Sequence, residues 1–305
     1  MMDISVIRRG LTRGNPLAAP KNVDWTFRSR DGAPMPVFSL PMYDWPEIRK
    51  ATDAWAGGIA AHLREQGFSD APLNLSRRDR YHDDWNAPDL LLSQSCGYPL
   101  SHEFSGALLP VATPHYAVEG CSGPAFSSFI FARAADGIRA LTDLRGQTCV
   151  INNRGSMSGM LALKLVFAPY ADNGDFFADT VESGGHVKSL EAVQRGSADV
   201  CAIDAVCVAL ARRHRPELLA GLTEIARSPL VPGLPLVTSS RRSQDELARL
   251  RQALARAFAD PRLLETREAL FLSGYSMLDR NDYAIIASLE RDLRTRGDLN
   301  LWKAA

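Results

Sequence analysis

The chain has 305 residues, of which 46% are hydrophobic and 23% are charged, and its 35 basic and 35 acidic side chains give a formal charge of zero. This composition predicts a globular protein with apolar material for one large or two medium cores, and it excludes a disordered, collagen-like or coiled-coil chain. Without an excess of basic residues, no positively charged surface is expected that would bind nucleic acid by releasing its counterions, so a nucleic-acid partner is not predicted. No stretch approaches about 18 consecutive apolar residues, so a membrane span is not predicted.

From residue 36 onward, short strand-like runs alternate with amphipathic helical runs. The predicted strands are 36–43, 71–76, 89–92, 107–112, 127–132, 149–151, 179–183 and 200–203. The predicted helices are one from near Pro46 that Gly67 closes, then 137–144, 160–167, 187–195, 205–214 and almost all of the chain from 244 to the end. This alternation predicts an α/β fold with a largely parallel sheet. Residues 1–35 show neither periodicity and are expected to form an N-terminal extension.

Two sets of such strands and helices, followed by a helical tail, favour two lobes over a single sheet. The chain is expected to cross between the lobes near Ser127 and again at 229–235, where three prolines in seven residues exclude a helix. One lobe is therefore predicted to contain residues 36–127 plus 234–305, and the other residues 128–233.

The strongest local signal is the turn Arg154-Gly-Ser-Met-Ser-Gly159, which lies between a predicted strand and a predicted helix. Such a turn presents unpaired backbone N–H groups and the positive end of the helix dipole, with the hydroxyls of Ser156 and Ser158 beside them. The pattern indicates an anion site. The alternative is that Ser156 or Ser158 is only an N-cap.

Three further side chains lie at or near the ends of predicted strands. His186 follows Gly184-Gly185 before a helix, and it could donate to a bound anion or only pack. Asp204 could accept a hydrogen bond in a cleft or only cap the next helix. Tyr43 lies at the carboxyl end of the first strand, where open α/β sheets bind ligands, or it is a packing residue.

Motifs for catalysis, cofactors and metals are absent from the sequence: it contains no GxSxG, HExxH, GxGxxG, Walker or Cys/His cluster pattern. No enzyme activity, cofactor or metal is predicted. The five cysteines include no CxxC pair, which argues against structural zinc. Three lie in apolar runs and are expected to be core thiols, whereas Cys96 and Cys121 lie in turns, where residue pattern alone leaves a disulfide and two free thiols open.

Several segments, in this order, resemble the PhnD-like phosphate/phosphite/phosphonate substrate-binding proteins of ABC transporters. The resemblance covers about residues 36–290 and rests on Leu40-Pro-Met-Tyr43, Asp89-Leu-Leu-Leu-Ser-Gln94, Phe126-Ser-Ser-Phe-Ile-Phe131, Asp143-Leu-Arg-Gly-Gln-Thr-Cys-Val150, Ser156-Met-Ser-Gly159, Gly184-Gly-His186, Ala198-Asp-Val-Cys-Ala-Ile-Asp204 and Ser228-Pro-Leu-Val-Pro-Gly-Leu-Pro235. It implies a type II periplasmic-binding-protein fold, with two α/β lobes joined by two crossing strands. It also implies a protein without enzymatic activity, expected to be a monomer, that binds a small anionic ligand and contacts the ABC permease subunits.

The resemblance also implies a ligand set in the cleft between the lobes. Family members grip phosphonate oxygens with a Ser-Thr-Ser-Gly turn, which corresponds here to the four residues from Ser156 to Gly159. The remaining positions that the resemblance and the facing walls imply are Tyr43, Ser93, Gln94, Ser128, His186 and Asp204. The middle threonine of the family turn is Met157, which removes one hydroxyl donor.

Two departures bear on the ligand. In members that bind an aminoalkyl phosphonate, acidic residues occupy the positions of Leu234 and Val206. An ammonium group left in apolar surroundings costs several kcal/mol, so an aminoalkyl phosphonate is not the expected ligand. Phosphate, phosphite or a phosphonate without an amine is expected, with Asp204 able to accept a proton-bearing oxygen.

The same resemblance includes a subgroup with cysteines in matching turns, which implies a Cys96–Cys121 disulfide and a periplasmic location. The first residues nevertheless lack the apolar core of a secretory signal, so export and a cytoplasmic location both stay open. The rival function is a cytoplasmic enzyme or ligand sensor on the same fold, similar to thiamine-pyrimidine synthases or to regulator effector domains.

Overall fold

The computed structural model describes residues 36–302, so the predicted extension at 1–35 lies outside the described residues. The strands are β1 (Val37–Phe38), β2 (Leu90–Gln94), β3 (Leu108–Tyr116), β4 (Cys121–Ser122), β5 (Ala125–Phe126), β6 (Ser128–Arg133), β7 (Thr148–Ile151), β8 (Asp179–Glu182), β9 (Val200–Asp204), β10 (Leu222–Arg227), β11 (Val231–Pro232), β12 (Leu236–Ser239) and β13 (Leu272–Ser276). The α-helices are α1 (Arg49–Glu65), α2 (His82–Trp85), α3 (Gly97–Ser101), α4 (Ala162–Phe167), α5 (His186–Gln194), α6 (Ala205–His214), α7 (Gln244–Ala259), α8 (Leu264–Ala269) and α9 (Arg280–Arg296).

Two five-stranded sheets organise these elements. The first sheet has the order β1-β2-β12-β3-β13 and the second has the order β10-β6-β9-β7-β8. Parallel pairing joins β1 to β2 and joins β7 to both β8 and β9, whereas the other neighbours in these sheets are antiparallel. The prediction of largely parallel sheets is therefore wrong: both sheets are mixed, because strands that return from a distant part of the chain pair antiparallel.

The chain passes between the two sheets twice, after β3 and again after β10. The two passages pair with each other in a small sheet of order β11-β5-β4, in which Val231 lies opposite Phe126 and Pro232 opposite Ala125. The division into lobes at 127/128 and 233/234 stays a prediction, and it places its boundaries in these two passages.

Apolar periodicity explains how the helices cover the sheets. In α1, Trp55, Ile59 and Leu63 recur every four residues, are nearly inaccessible, and pack with Leu250 and Leu254 of α7 against the first sheet. On the second sheet, the apolar residues of α5 and α6 pack on Phe129, Phe131, Val150, Cys201 and Ile203. Burial of one side chain of this size contributes about 1.5–3 kcal/mol, so these contacts hold the strand ends in place.

Several predicted elements differ from the structure. Residues 71–76 are not a strand, and β1 is shorter than the predicted strand at 36–43. The carboxyl-terminal region, expected to be almost all helix, contains β13, which is an edge strand with one buried residue, Leu272. In contrast, α6 is confirmed at both ends, and the predicted closure of α1 is confirmed by Gly67, whose φ of 89° suits glycine.

The predicted Cys96–Cys121 disulfide is wrong for this structure, because both residues are free thiols. Cys96 is the N-cap residue of α3, whereas Cys121 pairs with Phe126 in the small sheet. The two cysteines therefore lie in different elements, although both pack against the same hydrophobic cluster. The other three cysteines are buried, as expected for core thiols.

Tyr283 connects α9 to the second passage between the sheets. Its ring is 1% exposed, and its hydroxyl donates to the carbonyl of Gly233 at 2.8 Å and lies 2.7 Å from the Thr113 Oγ1. The Tyr283→Phe substitution leaves both partners buried without this hydroxyl, so we expect a loss of about 1–3 kcal/mol in the free energy of unfolding, measured by urea denaturation. Tyr275→Phe, at a half-buried edge-strand ring, is the matched control, and an equal loss in both proteins would contradict this role.

Candidate functional site

A cavity of about 330 Å³ lies where strands of both sheets end. Its walls follow the carboxyl ends of β1, β2, β7, β8 and β9, which is where open α/β sheets bind ligands. Five of the ten predicted ligand residues line it: Tyr43, Ser156, Ser158, His186 and Asp204. Residues that are far apart in the sequence thus meet at one site.

The serine turn after β7 opens a π-helical turn, Met157–Leu161, that continues into α4. Ser156 is its N-cap, and its Oγ accepts a hydrogen bond from the Gly159 N–H at 3.0 Å. The N–H of Leu161 donates to the Ser156 carbonyl, the spacing of a π-helix. The N-cap role considered from the sequence is therefore present, and the same turn presents the helix-start N–H groups beside the cavity.

Gly159 is required by its contact with Asn152 at the end of β7. A Cβ atom at position 159 would lie 1.9 Å from the Asn152 Oδ1 and 3.2 Å from the Asn152 backbone nitrogen. Asn152 lines the cavity, and its buried Oδ1 has no hydrogen-bond partner among the residues at 36–302. The glycine thus lets a polar side chain and the serine turn approach closely at the cavity wall.

A Gly159→Ala substitution is expected to displace Asn152 and the serine turn together. Overpacking of this kind costs about 1–3 kcal/mol of folding free energy, and thermal unfolding of the purified protein would measure it. Gly155→Ala is the matched control in the same turn, because its Cβ would lie 3.6 Å from the Asn153 Oδ1, an ordinary contact. Equal melting temperatures for the two variants would contradict the close approach at Gly159.

Ser158 and His186 form a hydrogen-bonded pair that closes one side of the cavity. The Ser158 Oγ lies 2.9 Å from the His186 Nε2, and Ser158 is 5% exposed. Burial lowers the pKa of His186 to about 4, so the ring is neutral at pH 7. His186 therefore contributes a directed hydrogen bond to Ser158 rather than a positive charge.

Asp204 and Tyr43 face each other from the two sheets. The Tyr43 hydroxyl donates to the Asp204 Oδ2 at 3.0 Å, while the Asp204 Oδ1 accepts from the Val206 N–H at 2.8 Å. The carboxyl is 1% exposed, and burial raises its pKa to about 6. Asp204 is thus both the N-cap of α6 and a titratable group on the cavity wall.

The other five predicted residues do not line the cavity. The Ser93 hydroxyl lies 2.8 Å from the Ser39 Oγ and accepts from the Trp85 Nε1 at 3.1 Å. The Gln94 side chain donates to the Tyr116 hydroxyl and to the Leu234 carbonyl. Ser128 lies beside Asp204 in the sheet register, and Met157 and Gly159 are buried within the π-helical turn. Direct contact of these five residues with a ligand stays a prediction.

Sequence reasoning missed an aromatic wall on the side of the first sheet. Tyr81, His82 and Trp85 line the cavity around α2, and Trp45 lines it after β1. By residue type alone, Asp83 and Asp84 make this segment typical of a charged surface. The available signal is the spacing of Tyr81 and Trp85, which places two aromatic rings on one face of a helical turn.

Two absences hold for the part of the chain that the structure describes. Within residues 36–302, no group of three or more His, Cys, Asp or Glu side chains is arranged to hold a metal ion. Over the same residues, no helix combines the length and the apolar character needed to cross a membrane.

Similarity to solved structures identifies the fold. The fold is similar to the binding-protein component of an ABC phosphonate transporter from Pseudomonas aeruginosa (18% identity, 86% of this chain and 88% of that chain, TM-score 0.68). It is also similar to PhnD1 from Prochlorococcus marinus in complex with methylphosphonate (12% identity, 85% and 98%, TM-score 0.66) and to a Xanthomonas citri protein bound to ATP (18% identity, 86% and 99%, TM-score 0.65). The protein has the type II periplasmic-binding-protein fold.

The family model for the phosphonate periplasmic substrate-binding proteins of ABC transporters matches residues 86–283. The chain belongs to this family, whose members are periplasmic substrate-binding components of transport systems. The family resemblance seen in the sequence motifs and the fold class that it implies are therefore confirmed. No curated protein shows significant sequence similarity to the chain.

Proposed function

We propose that this protein captures a small phosphorus oxyanion in the cavity between its two sheets and presents it to the permease subunits of an ABC importer. The ligand class is phosphate, phosphite or a phosphonate without an amine. Capture occurs in the periplasm, without chemical conversion of the ligand, by a monomer whose lobes are 36–127 plus 234–305 and 128–233.

The observation that supports this proposal most strongly is the meeting of Ser156, Ser158 and His186 at one cavity. The Ser158 Oγ lies 2.9 Å from the His186 Nε2, and the tautomer of the ring sets the direction of this hydrogen bond. We propose that the complex uses the tautomer with the proton on Nε2, in which His186 donates to Ser158 and the Ser158 hydroxyl can donate its own proton to a ligand oxygen. Hydrogen bonds to an ionised acceptor are stronger than neutral ones, particularly in a site from which water is excluded.

The amine-free ligand class is supported by the apolar residues near the cavity. Leu234 lines the cavity and is 5% exposed, while Val206 is 2% exposed and packs with Ile48 and Leu210. The family resemblance implies that these are the positions where aminoalkyl-phosphonate binders carry acidic residues. An ammonium group brought here would lose its hydration without gaining a partner at either position.

A thermal-shift screen of the purified protein tests the proposal, with phosphate, phosphite, methylphosphonate, sulfate and small organic acids as ligands. Ligand binding to the folded state raises the melting temperature, and the gain grows with the logarithm of the ligand concentration. We expect stabilisation by at least one phosphorus oxyanion and none by the organic acids. Stabilisation by an organic acid alone would contradict the proposed ligand class.

A further inference from the structure

The two walls of the cavity differ in chemistry. The wall from the second sheet is polar and includes Asn152, Ser156, Ser158 and His186. The wall from the first sheet is largely aromatic and is formed by Tyr43, Trp45, Tyr81, His82 and Trp85. A bare tetrahedral oxyanion is held by hydrogen-bond donors, but the Tyr43 hydroxyl and the Trp85 N–H on this wall already donate to Asp204 and Ser93, so these two rings offer it no free donor.

The rings around α2 form one packed cluster. The centroids of Tyr81 and His82 are 4.2 Å apart, and His82 meets Trp85 edge-on at 4.8 Å with an interplanar angle of 87°. Trp85 is fixed from behind by its hydrogen bond to Ser93 and by an edge contact with Phe104. Tyr81 is partly exposed and His82 is exposed, so the rigid cluster keeps ring surface available to the cavity.

The carboxylates that line the cavity are already hydrogen-bonded, and Asp83 and Glu103, which act electrostatically on His82, do not line it. Asp44 and Asp204 are the carboxylates among the cavity-lining residues. Asp44 accepts from the Arg77 Nε at 2.6 Å, and Asp204 accepts from the Tyr43 hydroxyl and the start of α6. Burial also lowers the pKa of His82, which favours a neutral ring at neutral pH. The aromatic wall therefore suits an uncharged group.

The cavity also has more room than a five-atom oxyanion requires. Its volume of about 330 Å³ falls in the range of roughly 300–1,000 Å³ that is typical of pockets for larger organic ligands. The space beyond the serine turn extends to the aromatic wall. A ligand that filled both parts would have an anionic head and an uncharged substituent.

We infer that the first-sheet wall is a substituent subsite, and that the ligand is an organophosphonate or organophosphate with an uncharged planar or apolar group that packs on Tyr81 and His82. This inference rests on the proposed function and deepens it. The serine turn holds the oxyanion, and the aromatic wall selects organic over inorganic ligands.

Calorimetric titration of the purified protein with phosphite, methylphosphonate, phenylphosphonate and 2-aminoethylphosphonate tests the inference. We expect phenylphosphonate to bind at least tenfold more tightly than methylphosphonate, because a ring stacks on the wall where a methyl group leaves it uncovered. The Tyr81→Ala/His82→Ala protein should lose that advantage, so that its affinities for phenylphosphonate and methylphosphonate differ by less than about twofold. His82→Phe, which retains a ring, should keep the advantage.

Tyr170→Ala is the matched control, because Tyr170 is 40% exposed and does not line the cavity. It should leave the phenylphosphonate preference unchanged. Binding of methylphosphonate with no gain for phenylphosphonate, or a gain that survives in Tyr81→Ala/His82→Ala, overturns the subsite and leaves the proposed function standing. Tightest binding of 2-aminoethylphosphonate also overturns it, in favour of a cation site. Failure of phosphite and of every phosphonate to bind overturns the subsite, and failure of phosphate as well, in the thermal-shift screen, overturns the proposed function.

Discussion

The Ser156→Ala/Ser158→Ala protein is expected to bind methylphosphonate or phosphite at least a hundredfold more weakly than the wild type. Both side chains are at least 95% buried and line the cavity, with 3% and 5% of their surface exposed. A hydrogen bond to a charged group contributes about 1.5–3 kcal/mol, so removal of two such donors corresponds to about a hundredfold to ten-thousandfold in affinity. Calorimetric titration gives the affinity directly.

The single variants Ser156→Ala and Ser158→Ala should differ in how much they lower the free energy of unfolding. Ser156 caps the π-helical turn through its bond with the Gly159 N–H, so Ser156→Ala should lower the free energy of unfolding by about 1 kcal/mol. Ser158→Ala should reduce binding with a smaller effect on folding, because the partner of Ser158 is the His186 ring at the cavity. Urea denaturation without ligand measures the folding part.

Ser239→Ala is the control for the loss of a buried serine hydroxyl. Ser239 is 5% exposed, lies in β12 and is not among the cavity-lining residues. It should leave ligand affinity unchanged. If the double variant binds within about threefold of the wild type while a phosphorus oxyanion is still the ligand, the serine turn is not the oxyanion site.

Some of the fold could be predicted because local and global signals agree. Residues 205–214 form α6 at the predicted ends, since an apolar run begins directly after a capping aspartate and ends in three basic residues. In contrast, β13 could not be predicted because Gly274 and three other partly or fully exposed residues give it no apolar pattern. Its pairing with β3, about 160 residues earlier in the chain, decides its conformation.

The same distinction applies to the site. The convergence of Ser156, His186 and Asp204 could be predicted, because they lie at the carboxyl ends of β7, β8 and β9, which are neighbouring parallel strands. Tyr43 follows β1 in the other sheet, so its approach to Asp204 depends on how the two sheets are placed. Ser93 could not be assigned in this way: β2 is buried along its whole length, and the sequence does not say which of its side chains reaches the cavity. The wall at Tyr81 depends on packing with Phe104, which no local pattern encodes.

At pH 8 the Asp204→Asn protein is expected to bind sulfate, which the wild type should reject at that pH, and the variant is expected to lose a pH dependence centred near pH 6. The wild-type carboxyl lies on the cavity wall, and burial raises its pKa to about 6. Two facing negative charges are unfavourable in a buried site, so the complex retains one proton shared between Asp204 and the ligand. Phosphite and phosphonates can carry that proton at neutral pH, whereas sulfate cannot.

The sign of the pH effect follows from that proton. Asp204 of the free protein carries a proton below pH 6 and loses it above pH 6, so the wild-type affinity divided by that of Asp204→Asn should fall by up to about tenfold per pH unit as pH rises above 6. His186, with a pKa of about 4, does not titrate in this range. At each pH the ligand has the same protonation state whether it binds the wild type or Asp204→Asn. The ratio of the two affinities, measured between pH 5 and pH 8, therefore isolates the contribution of Asp204.

The free energy of unfolding, measured without ligand as a function of pH, should independently report the titration of Asp204. The folded-state pKa of about 6 lies above the unfolded value of about 3.9, so protonation favours the folded state. That stabilisation, about 3 kcal/mol, is fully present below pH 4 and is lost as pH rises through 6. Asp204→Asn should flatten this part of the urea-denaturation profile. Parallel profiles, together with continued rejection of sulfate by Asp204→Asn, would exclude a shared proton at Asp204.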